Sequence, residues 1–148
     1  MKLTDALIGE HGAFYTLFDE IERIAATQEG IAVILGATAV LEAMVDSHAA
    51  LEDELLFAAL EPHLGSHEGP LAVMRREHDE MIRLLERIED AADVEEAVSL
   101  VNEALAAARS HFRKEEQVLF PMAVRLLGDE TLHRLGRAWA GVRHVTAG

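Results

Sequence analysis

The residues best suited to chemistry in this sequence are a histidine and a glutamate that occur together twice, four positions apart. His48 precedes Glu52 and His111 precedes Glu115, in two segments that are offset by 63 residues throughout. Each segment also carries a serine before the histidine, a second acid after the glutamate and a later Leu-Phe pair. Because helical residues four apart lie on one face, each pair predicts an imidazole and a carboxylate side by side on a helix.

The face that carries each pair is otherwise apolar. The neighbours at helical spacing are Ala37, Leu41, Met44, Leu55 and Ala59 around the first pair, and Val101, Ala104, Ala108, Val118 and Met122 around the second. Polar groups in such a stripe are unfavourable unless something pairs with them. A metal ion would pair with both groups at once. The alternative is that each histidine is a hydrogen-bonded core residue with no ligand role.

Two further histidines extend this internal repeat. The dipeptide Glu10-His11 resembles Glu77-His78 at an offset of 67 residues, and both histidines fall on apolar helical stripes. The chain therefore consists of two similar helix pairs. Each pair has one histidine on its first helix and a His-x-x-x-Glu motif on its second helix.

Helix start and stop signals give the elements that must position these residues. The first two helices are predicted over Thr4 to about Gln28 and over Ile31 to about Glu61, ahead of Pro62. The third is predicted over Pro70 to about Ala91, and the fourth runs from its cap at Asp93 to about Leu127, with a kink or shortening at Pro121. A fifth helix is predicted to start at Asp129, after Gly128. Short connections make neighbouring helices antiparallel. The predicted fold is an all-α, up-down-up-down four-helix bundle over about residues 4–127, with a short fifth C-terminal helix over about 129–144, in a single domain spanning 1–148.

The register of these helices brings the four histidines together. His11 and His48 are each 17 residues from the first predicted turn, which is about 25 Å along a helix. His78 and His111 are about 20 and 27 Å from the second turn. The four side chains are therefore expected in one transverse layer of the bundle.

A layer of four imidazoles and two carboxylates suits iron, manganese or zinc. The predicted ligands are His11, His48, His78, His111, Glu52 and Glu115. Since two carboxylates can bridge, two ions are more natural than one. One ion would then take the histidines of the first two helices, the other those of the third and fourth helices, and both glutamates would bridge.

Composition limits the remaining classes of function. The chain has 148 residues, a formal charge of −14 and no cysteine. The negative charge argues against nucleic acid and anionic membranes as partners, and the lack of cysteine excludes thiol catalysis and iron–sulfur clusters. The longest apolar run, 31–41, is too short to span a bilayer. The N-terminus has charge early and no continuous apolar core, so we expect no signal peptide and a cytoplasmic location.

These motifs together resemble the hemerythrin-like, or HHE cation-binding, family over about residues 5–125. The resemblance rests on Glu10-His11, on His48-x-x-x-Glu52 followed by Leu56-Phe57, on Glu77-His78, and on His111-x-x-x-Glu115 followed by Leu119-Phe120-Pro121. It implies a bundle around two non-heme iron ions with an oxo or hydroxo bridge. Members of the family bind dioxygen, sense oxygen or iron, or react with peroxide or nitric oxide.

The sequence departs from the oxygen-carrying members of that family at two positions. Those members have two histidines four apart on the third helix, where this chain has Met74 and His78. They also have an aspartate five residues after the fourth-helix histidine, where this chain has Glu116. The resemblance implies a protein that binds or reacts with dioxygen or peroxide, including catalase-like peroxide disproportionation, or alternatively an iron or oxygen sensing module without turnover. No catalytic side chain and no protein partner are assigned.

Tyr15 is a further candidate ligand. It lies four residues after His11 and would project from the same helix face. Its phenolate could fill the coordination position that the missing third-helix histidine leaves open. The alternative is that Tyr15 is a core aromatic residue whose hydroxyl has another partner.

Overall fold

The computed structural model describes residues 1–27 and 30–146. Six α-helices occur in this part of the chain: α1 (Leu3–Thr27), α2 (Ile31–Leu51), α3 (Ala58–Leu64), α4 (Pro70–Glu89), α5 (Val94–Lys114) and α6 (Phe120–Val142). A π-helical segment, π1 (Glu52–Phe57), joins α2 to α3 without a break, and a second one, π2 (Glu115–Leu119), joins α5 to α6. The described residues form no strand, so the predicted all-α class is confirmed.

Local signals explain several helix boundaries. The Asp93 side chain accepts a 2.8 Å hydrogen bond from the backbone N–H of Glu96 at the start of α5, as an N-cap residue does. Pro70 is the first residue of α4, where its missing N–H costs nothing. Gly65 ends α3 with a φ of 76°, a conformation that glycine adopts without steric strain.

The four long helices form the bundle. α1 packs against α2 and α5, and α4 packs against the same two helices, so successive helices are neighbours around a square. This is the predicted up-down-up-down arrangement. The continuous helix over residues 31–64, formed by α2, π1 and α3, is long and apolar enough to cross a membrane, by length and composition only. In the fold, this helix supplies core residues to the bundle, including Ile34, Leu41 and Val45.

Three predicted helix boundaries, at Gln28, Pro62 and Pro121, differ from the structure or lie outside its described residues. The predicted end of the first helix at Gln28 lies outside the described residues. The second helix does not stop ahead of Pro62 but includes it and ends at Leu64. Pro62 lacks the N–H that would bond the carbonyl four residues back, so the helix loses one hydrogen bond there. Pro121 follows π2 directly, and the helix continues through it to Gly128, whose φ of 73° and ψ of 168° interrupt the helical backbone.

The residues after Gly128 fold back onto the start of α1. Gly136 packs so closely there that a Cβ atom would lie 2.4 Å from the backbone oxygen of Met1. Lys2 and Asp129 form a 2.7 Å ion pair at the same contact. The C-terminal part of α6 is therefore docked on the bundle.

Two apolar clusters leave a gap between them along the bundle axis. The first cluster contains Phe14, Phe18, Leu41, Leu85, Val101 and Phe112 among its buried residues. The second contains Leu7, Leu56, Phe57, Leu71, Met74, Leu119 and Phe120. Chain positions between the two clusters are occupied by buried histidines and glutamates. The bundle therefore encloses a polar layer between two apolar ones.

Candidate metal centre

Among the residues that the structure describes, the six predicted ligands are the most deeply buried charged or titratable side chains. His11, Glu52 and Glu115 are fully buried, and His48, His78 and His111 are at most 4% exposed. Each histidine comes from a different helix: α1, α2, α4 and α5. Burial of so many polar groups in one layer is unfavourable unless each has a partner.

Both glutamates begin a π segment. Glu52 is the first residue of π1 and Glu115 is the first residue of π2. A π turn contains an extra residue and is frequent at functional sites in helices. Each π segment therefore lies directly beside the layer of ligands, and the repeat seen in the sequence is also a repeat in backbone geometry.

The first group of facing atoms joins α1, α2 and both π segments. Nε2 of His11 lies 3.2 Å from Nε2 of His48. Nε2 of His11 is also 3.1 Å from Oε2 of Glu115, and Nε2 of His48 is 3.3 Å from Oε1 of Glu52. One ligand atom from each of the four residues lies within 4.8 Å of the others.

The second group uses the other oxygen of each glutamate. Nε2 of His78 is 3.2 Å from Oε2 of Glu52, and Nε2 of His111 is 2.9 Å from Oε1 of Glu115. These four residues also offer ligand atoms within 4.8 Å of one another. Each carboxylate thus gives one oxygen to each group, which is the arrangement that a bridging carboxylate requires.

Most of the buried atoms that face one another in these groups have no hydrogen-bond partner among the described residues. Both oxygens of Glu52, both oxygens of Glu115 and Nε2 of His78 and of His111 are buried and unpaired. They lie near one another without the alignment of a hydrogen bond. Metal–nitrogen bonds of about 2.0–2.1 Å place neighbouring ligand atoms about 3 Å apart. The donor set, the separations and the unpaired atoms therefore fit a metal ion in each group.

The pKa values show how strongly the two carboxylates favour a positive charge nearby. Burial alone would lower the pKa of His48, but the charge of Glu52 and the hydrogen bond with Glu10 raise it to about 10. Burial likewise opposes protonation of His78, but Glu115 and Glu52 raise its pKa to about 9. Burial would raise the pKa of Glu115, but the surrounding histidines hold it well below its usual range. A cation bound here would take the place of these protons.

Three of the histidines are oriented by a carboxylate behind them. Glu10 lies 2.5 Å from Nδ1 of His48, and Glu77 lies 2.8 Å from Nδ1 of His111. In both halves, the acid of a Glu-His dipeptide thus orients the histidine of the next helix. A carboxylate at Nδ1 fixes the tautomer that leaves Nε2 free to bind a metal. The repeated Glu-His dipeptide is the sequence signal of this role, but the contact that reveals it forms between two helices.

The third orienting carboxylate is Glu116, whose Oε1 lies 2.8 Å from Nδ1 of His11. The same oxygen accepts a 3.0 Å hydrogen bond from the hydroxyl of Tyr15. Burial and Glu116 together raise the pKa of Tyr15 to about 12, so the neutral phenol is favoured. Tyr15 therefore lies behind His11 with another partner, which matches the alternative that its hydroxyl is hydrogen-bonded rather than a ligand.

Glu10 is the most heavily bonded of the orienting carboxylates. Its oxygens also accept hydrogen bonds from Nε1 of Trp139 at 2.8 Å and from Nε of Arg143 at 2.6 Å. Burial would raise the pKa of Glu10, but the hydrogen bonds with His48 and Arg143 outweigh it and hold the pKa at about 2. The docked end of α6 is thus connected through Glu10 to a candidate ligand, a role that the sequence did not indicate.

Met74 occupies the position where a second third-helix histidine was expected from the resemblance. It is buried in the second apolar cluster. It also lines a cavity of about 140 Å³ with Pro70, Lys114, Val118 and Leu119. In contrast, His63 and His67 are exposed and lie apart from the layer.

The fold and the site together define a helical-bundle protein with a buried layer of histidines and glutamates that could hold metal ions. The chain matches the sequence model of the Hemerythrin HHE cation binding domain over residues 2–123, and it belongs to that family. No curated protein and no solved structure matches the chain.

Proposed function

We propose that this chain is a non-heme diiron protein that binds or reacts with dioxygen or peroxide. The observation that carries the proposal is the sharing of two buried carboxylates between two groups of ligand atoms. One group contains His11 and His48, and the other contains His78 and His111. Glu52 and Glu115 would bridge the two ions.

The residues of the chain hold and shield such a centre. Phe112 stacks on His11 with ring centroids 4.0 Å apart, and Phe57 stacks on His78 at 5.7 Å. These rings exclude water from one side of each imidazole. When bound, iron would supply the ability to exchange electrons with an oxidant, whereas the protein would orient the ligands through Glu10, Glu77 and Glu116.

A small cavity is consistent with a small ligand, and two of its lining residues, Met74 and Lys114, come four residues before His78 and one residue before Glu115. Its volume of about 140 Å³ is below the range of about 300–1,000 Å³ that is usual for sites of organic ligands. Dioxygen, peroxide and nitric oxide are all small enough. Peroxide disproportionation is the form of turnover that we propose, because a pair of iron ions can accept and return two electrons.

A sensing role is the second candidate, and the buried charge of the layer favours it. A bound cation would stabilise the buried carboxylates of Glu52 and Glu115, so the free energy of folding would depend on whether metal is bound. The fold would then report iron availability or the state of the iron, without turnover.

Metal analysis of the purified protein tests both candidates. We expect close to two irons per chain and an absorption spectrum that changes with dioxygen or peroxide. Steady peroxide consumption by the iron-loaded protein, with its helicity retained on chelation, supports the enzyme. Cooperative loss of helicity on chelation without peroxide consumption supports the sensor. Protein that contains no metal after refolding with iron(II) rules out both.

We further propose a cytoplasmic location. The negative charge of the chain supports our proposal that nucleic acids and membranes are not its partners.

A further inference from the structure

The two halves of the layer differ in how their histidines are oriented. His11, His48 and His111 each have a carboxylate at Nδ1. Nδ1 of His78 is buried and has no hydrogen-bond partner in the described part of the chain. This exception falls in the second group only.

The internal repeat shows which residue would serve His78. Glu116 directly follows Glu115 and orients His11. In the other half, Asp53 directly follows Glu52 and occupies the position equivalent to Glu116. Asp53 is therefore the residue that the repeat assigns to His78, with a side chain one methylene shorter.

Arg75 forms an ion pair with Asp53 outside the layer, away from His78. Nε of Arg75 lies 3.2 Å from Oδ1 of Asp53, and Nη2 lies 2.8 Å from Oε1 of Glu61. The guanidinium also lies over the ring of Phe57, 5.6 Å from its centroid. These three contacts fix Arg75 outside the layer, and Asp53 is drawn toward it, with nearly half of its side chain exposed.

Resting on the proposed two-metal site, we infer that the two metal positions are unequal and that Arg75 is a positioning residue that sets the difference. The position of His11 and His48 binds its ion first. The position of His78 and His111 binds second, because Nε2 of His78 is a weaker donor to a metal without a carboxylate at Nδ1. Loss of such a carboxylate lowers metal affinity by about 10–100-fold in metalloproteins.

The single tryptophan provides a reporter for the first position. Nε1 of Trp139 donates to Glu10, and Glu10 in turn lies at Nδ1 of His48. Metal binding at His48 should therefore change the fluorescence of Trp139. No such chain of hydrogen bonds connects Trp139 with His78 among the described residues.

Anaerobic titration of the full chain with iron(II) alone tests the inference. We expect the change in Trp139 fluorescence to be complete after one equivalent, while equilibrium dialysis still shows a second ion bound about 10–100-fold more weakly. A fluorescence change spread evenly over two equivalents, or confined to the second, overturns the inference and leaves the proposed two-metal site intact. Absence of any binding contradicts the proposed function and the inference together.

A double variant tests the role of Arg75. Asp53→Glu with Arg75→Leu removes the competing guanidinium and restores the side-chain length of Glu116. We expect the second ion to bind at least about tenfold more tightly, a gain that mere structural damage cannot produce. The control, Asp46→Glu with Arg87→Leu, changes exposed residues of α2 and α4 in the same way and should leave both affinities unchanged. If the second ion binds the Asp53/Arg75 variant no more tightly than the wild type, Arg75 does not cause the difference between the two metal positions.

Discussion

The hydroxyl of Tyr15 donates its 3.0 Å hydrogen bond to the same oxygen of Glu116 that lies 2.8 Å from Nδ1 of His11. Tyr15 is thus connected to the candidate ligand His11 through the carboxylate of Glu116, which lies between Tyr15 and the layer. The neutral phenol is the form that can donate to Glu116. Burial of Tyr15 and this hydrogen bond together raise its pKa.

We expect Tyr15 to titrate near a pKa of about 12 in the folded protein, against its ordinary value of 10.0. The raised pKa means that this residue contributes stability below pH 10, which is lost as the pH rises toward 12. Ultraviolet absorbance of the phenolate measures the titration directly, because Tyr15 is the only tyrosine. The denatured chain is the control. A visible phenolate–iron band that Tyr15→Phe abolishes would show instead that Tyr15 is a ligand.

Replacing both Glu52 and Glu115 by alanine should remove most of the bound iron. Both oxygens of each carboxylate face ligand groups, so the variant leaves neutral imidazoles without a bridging anion. Metal content after iron(II) loading measures the effect. Glu103→Ala removes an exposed carboxylate from α5 and should retain both ions. Two irons and an unaltered spectrum in the double variant would show that our ligand assignment is wrong.

Single alanine substitutions at the four buried histidines should each lower the iron content. The chain offers matched controls in His63, His67 and His144, which are exposed. Loss of one ligand from a set of four should weaken its ion more than loss of an outer carboxylate, that is, by more than about 10–100-fold. Similar iron content in both groups of variants would contradict the layered site.

Metal binding should stabilise the protein more at high pH than at low pH. The pKa values of about 10 for His48 and about 9 for His78 lie above the ordinary value of 6.5, so protonation stabilises the metal-free fold below pH 6.5, and this stability is lost as the pH rises through 9 to 10. Metal binding must displace these protons, so it is weaker at low pH, where more of them are bound.

Thermal unfolding with and without a chelator measures this dependence. An ion at 100 times its Kd adds about 2.7 kcal/mol, which corresponds to a rise in Tm of roughly 5–10 °C for a chain of this size. We expect this rise to grow between pH 6 and pH 9. A rise that shrinks over that range would mean that protons and metal do not compete for these histidines.

Gly136→Ala should separate the end of α6 from the start of α1. The added Cβ would lie 2.4 Å from the backbone oxygen of Met1, and such overpacking costs about 1–3 kcal/mol. The shift would also withdraw Trp139 and Arg143 from Glu10. We expect a lower Tm and a red-shifted Trp139 emission. Gly141→Ala, in the same helix with open space around it, is the control, and equal behaviour of the two variants would contradict the docking contact.

Sequence patterns predicted the bundle and the layer of four histidines and two glutamates, because both depend on helical periodicity, which local residue order determines. The offset between the two halves sufficed to find His48 and His111 as a pair. The orienting carboxylates were missed because their partners are on other helices: Glu10 reaches His48 across the bundle, and Trp139 is 129 positions from Glu10. Such contacts depend on packing and side-chain rotamers, for which one sequence carries no periodic signal.

The π segments have a consequence for protein engineering. A π turn holds one residue more than an α turn, so the apolar side chains after Glu52 and after Glu115 are rotated by about 100° relative to those before them. The helical periodicity of the apolar residues is thus offset by one residue at two points, Glu52 and Glu115. A designer who transplanted the six ligands onto uninterrupted ideal helices could align the imidazoles or the apolar layer beyond them, but not both. The surplus residue in each helix has to be transplanted with the site.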